Sequence, residues 1–314
     1  MKKTQTLTEG AILAALIILL LLLGLFVPFI GVIVLWFVPI PYAIYVLRRG
    51  VKAGILLGVV TLLLSIMIFS LMGIPTVLLF ASLGIVIGAL YKNKKSPFIV
   101  LLGGSLATIA TLLLGFIISI AFLDVHLGQA FEEATQQSIG MVEQISQLTG
   151  QELTDQQLTQ INESVELLQY LITTAIIGTG VVMAFIVQFL TIAIGKRMRL
   201  QVESFPPFRK WQFPKVFVWY YLIVLLLGLV DFERGSTMFL IVTNLMIILS
   251  WVMTIQGFSF LYYYCHTKKY KMFIPNIILI LGFILPPLLY LVRILGIIDL
   301  GFDLRKKISN EKET

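Results

Sequence analysis

Between Ala11 and Val27 no charged or amide side chain interrupts the chain, and apolar runs return near 31–47, 53–70, 74–91, 97–123, 168–195, 215–231 and 236–264. A helix needs about 20 apolar residues to cross the roughly 30 Å hydrocarbon core of a bilayer. In that solvent only a helix or a closed barrel satisfies every backbone polar group. Runs of this length predict an all-α, polytopic membrane helix bundle of about eight crossings. Composition excludes a soluble alternative: 59% of the 314 residues are hydrophobic and 12% charged, where soluble domains carry about 25% charged residues. The first run continues too far, and lacks too clearly a small-residue cleavage site, to read as a cleaved signal peptide.

The net charge of +7 is gathered into clusters between the runs: Lys2-Lys3; Arg48, Arg49 and Lys52; Lys92, Lys94 and Lys95; the 196–215 stretch; Lys268, Lys269 and Lys271; and the tail from Arg305. Short basic loops at alternate crossings are the mark of cytoplasmic sides. With the amino terminus inside, all of these loops fall in the cytoplasm, and the loops at 28–30, 71–73 and 232–235 fall outside with Arg234 their single basic residue. The charge therefore reads as topology and lipid contact, and nucleic acid is not an expected partner.

Two segments depart from this regularity. Residues 124–166 hold eight acids and no Lys or Arg, which suits an external position. Phe131, Ser138, Met141, Ile145 and Leu148 repeat at helical spacing, and Thr154 to Gln157 offers a capping box before Leu158, Ile161 and Val165. This predicts an external cap of two amphipathic helices. The last apolar stretch, Met272 to Leu300, is divided by Pro286-Pro287. As a single pass it would place Arg305, Lys306 and Lys307 outside, against the charge rule. Each half, about 14 residues or about 21 Å, is too short to cross alone, so a broken, re-entrant hairpin is expected. The Phe205-Pro-Pro-Phe208 turn marks the best boundary. It divides a six-pass unit (1–200, with the cap at 124–166) and a basic cytoplasmic loop (201–214) from a transmembrane extension (215–304) and a basic tail (305–314).

Chemistry is sparse. The chain has two histidines, His126 and His266, and one cysteine, Cys265; a His-Glu-x-x-His zinc motif, a Cys cluster and an internal disulfide are all excluded. Gly257-Phe-Ser-Phe260 has the look of a serine-protease turn. Ser259 and His266 stand seven residues apart on one helix, about 10 Å along its axis, too far for a direct hydrogen bond. No cofactor site and no enzymatic activity are expected. The polar groups at membrane depth are Gln188, Asn244, Gln256, Asn276 and Arg293, with Asp299 near the end of the last run. Asn244 and Gln256 read as hydrogen bonders between helices, each contributing about 0.6 kcal/mol. Arg293 either snorkels to an interface or pairs with Asp299. Asp124 and His126, closing the fifth run, are either solvated helix-end residues or the lining of an external solute pocket.

The six-pass organisation, the long external fifth-to-sixth connection and Ala11-Ile-Leu-Ala-Ala15 at the cytoplasmic start of the first helix resemble the substrate-capture (S) subunits of energy-coupling factor transporters. The resemblance implies a six-helix S-like core. It also implies that Ala11 and Ala15 dock on a transmembrane coupling subunit served by cytoplasmic ATPases. Small side chains suit that role because they let helix axes approach closely. The extra crossings and the acidic cap depart from the S-subunit pattern. Across nearly its whole length the chain is more similar still to the YybS family of bacterial multi-pass membrane proteins, through TEGAILAAL (Thr8–Leu16), VPIPYAIYVLRRG (Val38–Gly50) and LGIIDLGFDLRKK (Leu295–Lys307). Two functions follow as expectations for a protein of the bacterial cell membrane: solute uptake with an ATPase-coupled partner, or a non-transporting scaffold or regulator that recruits proteins.

Overall fold

A computed structural model describes residues 2–123, 136–137, 139–141, 144 and 167–310. The expected cap at 124–166 falls, apart from those few positions, outside the described residues, as do Asp124 and His126. The helices are α1 (Lys2–Phe26), α2 (Ile30–Leu35), α3 (Pro39–Arg49), α4 (Val51–Phe69), α5 (Gly73–Lys92), α6 (Pro97–Leu123), α7 (Ile172–Arg197), α8 (Val216–Leu227), α9 (Thr237–Thr267), α10 (Phe273–Ile284), α11 (Pro286–Phe302) and α12 (Leu304–Asn310). Among the described residues no strand occurs. Among the described residues six stretches are long and apolar enough to cross a membrane, and one of them, Val51–Lys92, holds both α4 and α5. The protein is a polytopic membrane helix bundle.

The chain forms two compact units, Met1–Val165 with Ala175–Ser204, and Glu166–Thr174 with Phe205–Thr314. In the first unit, helix ends coincide with the basic clusters. Arg48 and Arg49 close α3, Lys92 closes α5, and Lys196 and Arg197 close α7. A cation there offsets the negative end of the helix dipole. Gly50, at a φ of 97°, reverses the chain directly from α3 into α4. The second apolar run, expected as one pass over 31–47, is long and apolar enough to cross as Ile30–Arg49, and within it a turn at Trp36–Val38 divides α2 from α3. Pro39 and Pro41 explain the break: neither has an N–H to donate, so the hydrogen bonds that would carry α2 into α3 without interruption are missing there, although Val38 keeps helical dihedrals.

The packing of the first unit centres on α5, which lies against α3, α4 and α6. Gly84 and Gly88 make its approach to α3 possible. A β carbon at Gly84 would run into the Pro39 carbonyl oxygen, and one at Gly88 into that of Ala43. Tyr42, on the opposed face of α3, is fully buried. Its hydroxyl shares a 2.6 Å hydrogen bond with Thr61 Oγ1 of α4, so the one polar atom of that ring is satisfied in the core.

The second unit repeats the close crossing with α9 and α11. A β carbon at Gly257 would meet the Val292 carbonyl oxygen, and one at Gly296 that of Met253. The course of the last apolar stretch is a hairpin. Near its start, Asn276 Oδ1 accepts from the Tyr262 hydroxyl of α9 at 2.5 Å. Beyond its end, the Arg305 carbonyl accepts from the Tyr263 hydroxyl at 3.2 Å. Both ends thus sit beside neighbouring residues of α9. The tip is Leu285, extended, followed by Pro286 at the first position of α11, where a missing N–H costs no helical bond.

Candidate functional site

The first cluster of interest is the amino-terminal end of α1. Its first turns are clamped by the end of α3. The Tyr45 hydroxyl donates to the Thr6 carbonyl at 3.0 Å. Arg48 Nη1 donates to Glu9 Oε1 at 2.8 Å and Arg49 Nε to Oε2 at 2.7 Å. These contacts fix the rotation of α1. Gly10, Ala14, Ile17 and Leu21 turn inward, and a β carbon at Gly10 would press on the Tyr45 hydroxyl. Ala11 and Ala15 face outward and are exposed, flanked by the exposed side chains of Ile12 and Leu19.

Beside that face runs an open groove of about 1120 Å³ between α1 and α3, reached also by Ile194 and Met198 of the first unit. Its walls are aliphatic and aromatic over most of their length. Thr4, Gln5, Thr8, Glu9 and Arg48 supply its polar groups, all at one end.

The second cluster is a buried polar network in the second unit. Asp299, fully buried, accepts at Oδ2 from Gln256 Nε2 at 2.5 Å and from Arg305 Nε at 2.9 Å. Gln256 Oε1 accepts from the Phe213 N–H at 3.0 Å. Arg305 continues through Nη1 to the Arg209 carbonyl at 3.0 Å and through Nη2 to Ser259 Oγ at 3.1 Å. The single Ser259 proton lies between the carbonyls of Phe208 and Trp211, at 2.8 and 2.6 Å. Within 208–213, which begins with a 3-10 turn at Phe208–Lys210, the carbonyls of Phe208, Arg209 and Trp211 and the N–H of Phe213 are therefore satisfied by side chains of α9 and by Arg305 of α12. At the network's edge Lys215 pairs with Asp303, and that hydrogen bond holds the Asp303 carboxyl below its ordinary range.

Of the two readings of Arg293, the ion pair with Asp299 does not form. Residues six apart on a helix point to different faces, and Arg293 instead lies over the Tyr290 ring, 5.0 Å from its centroid. Asp299 is reached by Arg305 because Asp303 adopts the left-handed conformation, ending α11 and turning the chain back. Asn244 bonds across helices in a specific way. Its Oδ1 accepts from the Thr174 N–H at 2.9 Å and the Thr174 hydroxyl at 2.6 Å, and its Nδ2 donates to the Tyr170 carbonyl at 2.7 Å. The first turn of a helix has N–H groups with no partner of their own, and Asn244 supplies one for α7.

Sequence reasoning missed Arg305, counted with the basic tail, and Glu9 as the anchor of Arg48 and Arg49. It considered Ser259 only against His266, when its partners are backbone carbonyls. Among the described residues no group of three His, Cys, Asp or Glu side chains could hold a metal ion.

Comparison with known proteins adds a family. Residues 15–300 match the family described as "Predicted membrane protein (DUF2232)". The chain is 34% identical over 310 residues to "Uncharacterized protein YybS" of Bacillus subtilis (strain 168), covering 98% of this chain and 100% of that relative. No solved structure matches.

Proposed function

The chain belongs to the DUF2232 family of predicted membrane proteins, and from that premise we propose that its first unit docks on an ATPase-coupled membrane partner through the Ala11/Ala15 face of α1, in uptake of a small external solute. The observation that carries this reading is the outward exposure of Ala11 and Ala15 on a helix whose rotation is fixed by the Glu9 clamp. The neighbouring small residues, Gly10 and Ala14, serve packing inside the unit, whereas Ala11 and Ala15 do not. Small side chains on an outward face let a second helix approach closely in lipid, where no hydrophobic force drives helices together. The resemblance to S subunits suggests the partner's nature, and the charge pattern supports a cytoplasmic position for this end of α1 at a bacterial cell membrane, the side on which ATPases reside.

The test is affinity purification from native membranes of the wild type and the Ala11→Leu/Ala15→Leu variant. The expected result is loss of a transmembrane protein and its associated ATPase from the variant's partners. The second unit, an entire folded addition to the S-like pattern, favours the other reading, a scaffold or regulator; an unchanged set of partners supports that one and removes the docking face.

A further inference from the structure

We propose that the groove between α1 and α3 is a binding site for an anionic phospholipid, with acyl chain along Leu16, Leu20, Ile40 and Ile44 and phosphate at Arg48. Three observations select this occupant.

The first is polarity. The groove lies on helices apolar and long enough to cross a membrane, yet its polar lining is confined to one end. That is the pattern of a lipid, one end wet and the other dry.

The second is length. From Thr4 to Leu20 the groove follows α1 for about 24 Å, close to one leaflet with its headgroup region, about 20–22 Å, and short of the full 30 Å core that a partner helix would have to traverse. It ends where the Trp36–Val38 turn interrupts the facing helix and Phe37 enters the lining.

The third is charge. Glu9 is the one carboxylate lining the groove, and both of its oxygens are already held by Arg48 and Arg49, which leaves that trio one positive charge in excess. Arg48 uses one N–H on Glu9 and keeps 38% of its side chain exposed. Lys92 Nζ reaches the Val46 carbonyl near the same end of α3, and Met198, also in the lining, lies between Arg197 and Arg199. Within the groove a phosphate diester would meet the Arg48 guanidinium and no unpaired carboxylate.

Native mass spectrometry of the full chain, released from nanodiscs of equal phosphatidylglycerol and phosphatidylcholine, tests the site. The wild type should retain one phosphatidylglycerol in preference to phosphatidylcholine. Arg48→Gln should lower that preference about fivefold, as expected for one basic residue near an anionic surface. Ile12→Trp and Leu16→Trp, at partly exposed positions that tolerate bulk, should each reduce retention of both lipids while leaving the unfolding temperature unchanged. Ala11→Leu/Ala15→Leu, about 100° round the helix from Ile12 and Leu16, should retain lipid as the wild type does, so this site and the docking face stand or fall separately. Equal retention of the two lipids by the wild type, full retention by both tryptophan variants, or a photo-crosslinker at Leu16 labelling a protein instead of a lipid would overturn the proposal.

Discussion

In the first unit, Gly84 and Gly88 bring α5 against α3; in the second, Gly257 and Gly296 bring α9 against α11. Both units thus meet the problem of packing helices in lipid by removing side chains where backbones must touch. They differ in where they keep their charges. The first unit leaves its clamp at the rim, with Glu9, Arg48 and Arg49 side chains 19, 38 and 32% exposed. The second buries Asp299 completely and Arg305 nearly so, and surrounds them with Gln256, Ser259 and the carbonyl of Arg209. An exposed trio orients a helix at small energetic stake. A buried pair ties together four separate pieces of chain, and each becomes costly to remove.

The largest effect should come from breaking the buried pair. Arg305→Leu is expected to destabilise the second unit by about 3–5 kcal/mol because it strands a carboxylate without its cation. The Asp299→Leu/Arg305→Leu double variant should recover most of the loss. Trp211, Trp219 and Trp251 all lie in the second unit, so denaturant unfolding followed by tryptophan emission reads it. An Arg305→Leu transition that does not move would erase the contrast between the units.

Substitution at the crossings should be smaller and similar in both halves. Gly88→Val and Gly296→Val each force a side chain onto a backbone carbonyl, with an expected cost of about 1–3 kcal/mol. If one crossing proved tolerant and the other did not, the two units would not share a packing solution after all. The smallest change is expected at the rim. Glu9→Gln should cost less than about 1 kcal/mol, and the difference from wild type should shrink as salt rises, since exposed charges are screened over about 8 Å at physiological ionic strength. A loss as large as that of Arg305→Leu, independent of salt, would show that exposure is a poor guide to these charges.

Much of this architecture was legible in the sequence because bilayer thickness converts run length directly into helix length. The α1, α4–α7 and α9 stretches lie where uninterrupted apolar runs place them, and Pro286-Pro287 marks the hairpin tip. The break at Trp36–Val38 was written in Pro39 and Pro41 but masked by the hydropathy around them. The buried cluster was not legible for a different reason. Gln256 and Ser259 bond to the backbone of 208–213, and Asp299 meets Gln256 and Arg305 only through the tertiary fold, none of which a side-chain pattern along the sequence encodes. Arg305 is separated from its partner by Asp303, whose left-handed conformation depends on no glycine that a reader could have noticed. The outward position of Ala11 and Ala15 likewise depended on Glu9 finding Arg48 and Arg49, a contact across some forty residues.

The left-handed turn at Asp303 also sets an order of events. A ribosome delivers Gln256, Ser259 and Asp299 before it delivers Arg305. During that interval Asp299 lacks the guanidinium that pairs with it in the folded unit, and a buried unpaired charge is strongly unfavourable. The buried cluster is therefore complete only once Arg305 has turned back past Asp303 to Asp299, Ser259 and the Arg209 carbonyl. A chain interrupted between residues 299 and 305 would carry every helix of the hairpin and still lack the group that locks it.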